Sequence, residues 1–132
     1  MSDYSIGDPT FESGVQPRSY ASNLSRTATS EAYLFTLPAK AVIKQVTVIG
    51  AKSNAGTSAS ISLGSTGAGS DILAAFNVKT NGEVSYPSSF NATPASAWHT
   101  EPIDVYGTYA EDGSASNTGG PWTIVVDVIG RE

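Results

Sequence analysis

Glu31 to Leu63, EAYLFTLPAKAVIKQVTVIGAKSNAGTSASISL, is the stretch that decides the fold. Tyr33, Phe35 and Leu37 alternate with other residues at the period of a half-buried strand. Leu37-Pro38-Ala39-Lys40 then breaks the run, because proline fixes its own φ and has no N–H to give a ladder. Val42 to Ile49 is almost continuously Val, Ile and Thr, whose branched side chains suit a pleated surface. Its phase is ambiguous: strict alternation sends Val46 and Val48 to one face, Ile43 and Ile49 to the other. Such a strand needs cover on both faces, from the rest of the sandwich or from another subunit. After the polar turn Ser53-Asn54-Ala55-Gly56, Ala59, Ile61 and Leu63 alternate with Ser58, Ser60 and Ser62.

Working outward, Ile72, Ala74, Phe76 and Val78 alternate as a strand does. The preceding Gly64-Ser65-Thr66-Gly67-Ala68-Gly69-Ser70 lacks the Lys-Ser/Thr ending of a phosphate loop and has no helix behind it, so it reads as a hairpin loop. Asn81-Gly82 is a hairpin signal. From Val84 to Trp98 the pattern weakens into a long loop holding a short strand. Ile103, Val105 and Tyr109 give another strand, and Ala110 to Gly120 is a polar, glycine-rich hairpin tip. The chain closes on Trp122, Ile124, Val126 and Val128, which share one face. No window shows amphipathic helical spacing. The fold expected is all-β: an antiparallel β-sandwich, wired as a jelly roll of about eight strands.

Residues 1–29 are polar and punctuated by Gly7, Pro9, Gly14 and Pro17. They read as an extended N-terminal arm ahead of a sandwich domain at 30–132, although Val15 to Tyr20 could add an edge strand. Tyr4, Ile6, Phe11 and Val15 are the arm's apolar groups and the candidate contacts to a partner surface, ordering as they bind. An arm of this kind could be deleted without unfolding the core.

Composition narrows the function classes. The 132 residues carry 12 acids against 7 bases and no basic run, which argues against nucleic acid as a partner. With no cysteine, thiolate metal sites and cysteine nucleophiles are excluded. No apolar run is long enough for a membrane helix, and Met1 to Gly14 has no signal-peptide pattern, so synthesis in the cytoplasm is expected. His99 is the single histidine and lacks partners for a triad or a metal site. Glu111, Asp112 and Asn117 lack the ligand spacing of a calcium loop. Asp71, Glu83, Glu101, Asp104 and Asp127 are scattered carboxylates that could in principle pair for glycoside cleavage. The expectation is a non-enzyme, without cofactor or metal. Tyr86, Trp98, Tyr106 and Tyr109 leave open a carbohydrate-binding module.

Three features together carry a family resemblance. They are Tyr33-x-Phe35-x-Leu37-Pro38-Ala39, then Ile43-x-x-Val46-x-Val48 with its Ser/Gly/Ala-rich loop and Ser60-x-Ser62-x-Gly64, and the closing Pro121-Trp122-Thr123 strand. Over roughly residues 31–129 the chain resembles small structural proteins of tailed-bacteriophage virions, most of all the jelly-roll head decoration, or cement, proteins. The resemblance implies a homotrimer bound to the major capsid protein of its virus, on the outer surface of the assembled head, stabilising the shell without catalysis. A tail, baseplate or fibre component is the alternative of the same origin.

Overall fold

The computed structural model describes residues 15–27, 32–65, 69–93 and 101–131. They form eight strands and, among the described residues, no helix: β1 (Val15–Leu24), β2 (Ala32–Leu37), β3 (Val42–Gly50), β4 (Ser58–Gly64), β5 (Leu73–Asn77), β6 (Glu83–Ser85), β7 (Ile103–Asp112) and β8 (Trp122–Arg131). Two four-stranded antiparallel sheets face each other, ordered β1-β8-β3-β6 and β2-β7-β4-β5. Successive strands change sheet at every connection except β4 to β5. This interleaving is the wiring of a jelly roll. It also corrects two turns: Asn81-Gly82 and the Ala110–Gly120 loop are crossovers between sheets, not hairpin tips.

The core lies between the sheets. β8 contributes Trp122, Ile124, Val126 and Val128, β4 contributes Ala59, Ile61 and Leu63, and β7 contributes Ile103, Val105 and Tyr109, all buried as strict alternation requires. Elsewhere bulges reset the phase. In β3 the register to β8 shifts between Ile43 and Gln45, so Ile43 joins Val46 and Val48 on the inner face, while Val42 is half-buried and Ile49 exposed. The Ile43 N–H meets the carbonyl of Ala92 at 2.8 Å. This bulge removes the two-faced character that pointed to a subunit interface through β3. A second shift, between Tyr33 and Phe35, buries both Leu34 and Phe35 and turns Tyr33 outward. A third, between Ile61 and Leu63, accompanies a positive φ at Ala75, so Ile72, Leu73 and Val78 are buried and Ala74 is exposed.

β1 moves the domain boundary. It pairs with β8 from Val15↔Arg131 to Leu24↔Trp122, and Leu24 is buried in the core. Residues 15–24 therefore belong to the sandwich. Removing residues 1–29 would strip an edge strand from β8 and open the core at Leu24, so the dispensable segment ends before Val15.

One end of the sandwich is closed by an aromatic pair. Trp122 of β8 stacks on Tyr109 of β7 with ring centroids 5.1 Å apart and 19° between planes, joining the two sheets. The Tyr109 hydroxyl reaches Ser53 Oγ at 2.7 Å and donates to Glu111 Oε1 at 2.8 Å. Glu111 also accepts from the Ser116 hydroxyl and backbone N–H. Asn54 Oδ1 accepts from the N–H groups of Asn117 and Thr118, and Gly56 N–H donates to Ser114 O. The loop after β3 and the loop after β7 are thereby clamped together. Gly50 and Gly120 flank the indole: a Cβ on Gly50 would lie 2.6 Å from Trp122 Cδ1, and one on Gly120 would lie 2.7 Å from Cε3, at a φ of 59°.

Two outcomes follow for stability. Trp122→Ala should cost on the order of 3–5 kcal/mol, the range for removing a large aromatic from a core, read as a lowered urea midpoint; Gly50→Ala should also destabilise. The Ser116 and Tyr109 hydroxyls hold Glu111 below its ordinary carboxylate range. A depressed folded-state pKa contributes stability above the unfolded value, and that contribution is lost as pH falls through the folded one. The urea midpoint should fall between neutral pH and about pH 3, and Glu111→Gln should flatten part of that dependence.

Candidate docking surface

The outer face of the β1-β8-β3-β6 sheet changes character across its width. Ile49 stands opposite both Val84 of β6 and Thr123 of β8, and Thr123 stands opposite Asn23 of β1. At the β1 side the row is polar: Thr123 Oγ1 donates to Asn23 Oδ1 at 2.8 Å, and Ser19 Oγ donates to Asp127. At the β6 side it is apolar. Ile49, Val84 and Tyr86 are 38%, 52% and 62% exposed, and with Tyr33 they are the large exposed hydrophobic residues among those described. Tyr86 lies one residue beyond the end of β6.

This patch borders an edge. β6 has only three residues and, among the described residues, pairs with β3 alone. An unpaired edge beside exposed apolar side chains is a surface suited to association. Two crossovers hold it in place. Asn77 Oδ1 accepts from the N–H groups of Lys79 and Thr80, an Asx turn that delivers the chain to β6. Beyond β6, Asn91 N–H donates to Ile72 O at 2.9 Å and Phe90 packs on the core.

Of the residues expected to make contacts, Tyr4, Ile6 and Phe11 lie outside the described residues. Val15 opens β1 at the Arg131 end of the sheet. The apolar patch is at the other end, roughly 30 Å away along a ten-residue strand. His99 and Trp98 also fall outside the described residues. Tyr109 is buried in the core and cannot stack on a ligand. Asp104 and Asp127 sit on the outer faces of opposite sheets, so the sandwich keeps them from flanking one bond. Among the described residues no group of three or more His, Asp or Glu could hold a metal ion. Over β8, a shallow open depression is lined by Pro17, Arg18, Ser19, Lys44, Asp127 and Ile129, with the Asp127 carboxylate already engaged by Ser19.

The sequence singles out Ile49 for the uncertain phase of β3 and Tyr86 as a sugar-stacking candidate, but not Val84, and it does not bring Ile49 and Val84 together. β6 is too short to show a period, and its pairing with Ile49 exists only in the folded sheet.

No protein-family profile matches the chain, and no curated protein matches it significantly in sequence. Among solved structures, it is similar in fold to a chain of the cyanophage Pam1 capsid asymmetric unit. The TM-score is 0.62 at 15% identity, over 92% of this chain and 88% of that one. The likeness spans nearly the whole of both chains. It establishes a shared sandwich fold.

Substituting the patch should leave the fold intact. Val84→Ser with Tyr86→Ser should change the unfolding free energy by no more than about 0.5 kcal/mol, as expected of exposed positions; a much larger loss would mean that the two side chains are part of the core.

Proposed function

We propose that this chain is a non-enzymatic structural protein of a tailed-phage virion: a decoration, or cement, protein that binds the outer surface of the assembled head. The observation that carries this reading is the fold likeness, nearly end to end, to a chain within a phage capsid asymmetric unit. The apolar edge at Ile49, Val84 and Tyr86 and the sequence resemblance point the same way. Its partner is the major capsid protein of its virus, and it acts as a trimer on the shell, after synthesis in the host cytoplasm.

Two separated contacts give the mechanism. The Ile49–Val84–Tyr86 patch seats one end of the sandwich on the shell. Residues 1–14 leave from the other end and, fully extended, reach at most about 50 Å across neighbouring subunits. Each contact is weak alone, because ordering a polar arm costs conformational entropy. Joined on one rigid body, and repeated over a trimer, they raise each other's effective concentration. Binding the assembled shell in preference to free subunits stabilises the shell by mass action.

The test is co-sedimentation with expanded empty capsids of its virus, followed by heating of the decorated shells. The full chain should saturate the shell at a fixed ratio and raise its disruption temperature. A chain lacking residues 1–14 should stay folded and bind at least about tenfold more weakly, and Val84→Ser with Tyr86→Ser should do the same. If the full chain neither binds nor protects the shell, the decoration reading is wrong, and a tail, baseplate or fibre component takes its place.

A further inference from the structure

The outer face of the opposite sheet carries a different chemistry. Tyr33 is the one exposed residue of β2, at 56%. Its ring meets that of Tyr106, its register partner on β7, at 71° with centroids 6.0 Å apart. Its hydroxyl lies 2.6 Å from Thr36 Oγ1, and Thr36 Oγ1 donates to Asp104 Oδ1 at 2.7 Å. Since Thr36 spends its one proton on the carboxylate, Tyr33 must be the donor to Thr36. The relay Tyr33→Thr36→Asp104 fixes an exposed aromatic ring before any ligand arrives. Ordering costs on binding are correspondingly small.

We propose that Tyr33, Tyr106, Thr36 and Asp104 form a binding site for a neutral polysaccharide, a role separate from attachment to a shell. Two rings set at a steep angle offer apolar walls to the C–H face of a pyranose. Asp104 and Tyr33 are both exposed, and the second oxygen of Asp104 and Tyr33 Oη retain acceptor capacity, which suits a ligand rich in hydroxyl donors. The site's one charge is negative, so a uronic or sialic acid is disfavoured. Beyond the tyrosines the face continues with Thr108 opposite Ser62 and Ala110 opposite Ser60, small and mostly hydroxylated side chains. That run accommodates a chain of sugars and offers no aliphatic groove to a peptide.

Affinity electrophoresis of the full chain through gels containing dextran, laminarin, mannan or a galactan tests the site. At least one neutral polysaccharide should retard it, and an acidic control, polygalacturonate, should not. Tyr33→Ala and Asp104→Asn should each weaken retardation at least about tenfold, which corresponds to 1.4 kcal/mol. Tyr33→Phe keeps the ring, cuts the relay and should lose part of the effect. Both side chains are exposed, and circular dichroism checks that the variants stay folded. The proposal is overturned if none of the gels retards the chain, if polygalacturonate retards it instead, or if Tyr33→Ala is retarded like the unaltered protein. Loss of capsid binding in Tyr33→Ala without retardation by any gel would assign the face to a cationic side chain of a protein partner.

Discussion

The contact between Trp122 and Tyr109 holds more of this molecule together than any other single pair. It joins strands of different sheets, so it fixes the spacing of the sandwich as well as filling it. Each ring also organises a loop. Tyr109 carries its hydroxyl to the point where Ser53, Glu111 and Ser116 converge, and Trp122 lies against Gly50 and Gly120. A buried hydroxyl needs a partner, and here it finds them in the two loops that must meet for the end to close. Packing and polar satisfaction therefore act on the same few residues. The cost is strictness: neither glycine has room for a methyl group.

How far the sequence could be read depended on whether a strand kept its period. β4, β7 and β8 alternate without interruption, and their buried residues are those that simple alternation selects. β2, β3 and β5 each meet a register shift, and there alternation misleads: Tyr33 goes out, Ile43 goes in, Ala74 goes out. A bulge is set by what the displaced backbone can bond to, as the Ile43 N–H does with Ala92, and that partner is distant in sequence. Asn81-Gly82 shows the same limit. Neither residue takes the positive φ of a two-residue hairpin turn; the Asx turn at Asn77 leads the chain across to the other sheet instead.

The candidate surfaces were less legible than the fold. An exposed aromatic and a buried one look alike in sequence: alternation puts both Tyr33 and Tyr109 on an inner face, and only Tyr109 is buried. Ile49 and Val84 become a patch only by cross-strand pairing, and the Tyr33–Thr36–Asp104 relay joins β2 to β7 across 68 residues. The two outer faces differ in kind: one offers aliphatic surface beside an open edge, the other hydroxyls and tyrosine rings. The two faces lie on opposite sides of the sandwich, so the exposed residues of one do not contact those of the other.

The pairing of β1 with β8 has a consequence for how the molecule comes to exist. β8 is the last of the described strands in chain order, yet it occupies the interior of its sheet, between β1 and β3. Until residues 122–131 are available, β1 has no neighbour in its own sheet, and β3 has only the three residues of β6. Val15 waits for Arg131, nearly the full length of the chain away. Such non-local closure places the chain among slow folders, in the millisecond-to-second range of all-β domains. During translation the nascent chain carries open strand edges without their native mate, a state in which polar edge residues limit pairing with neighbouring chains.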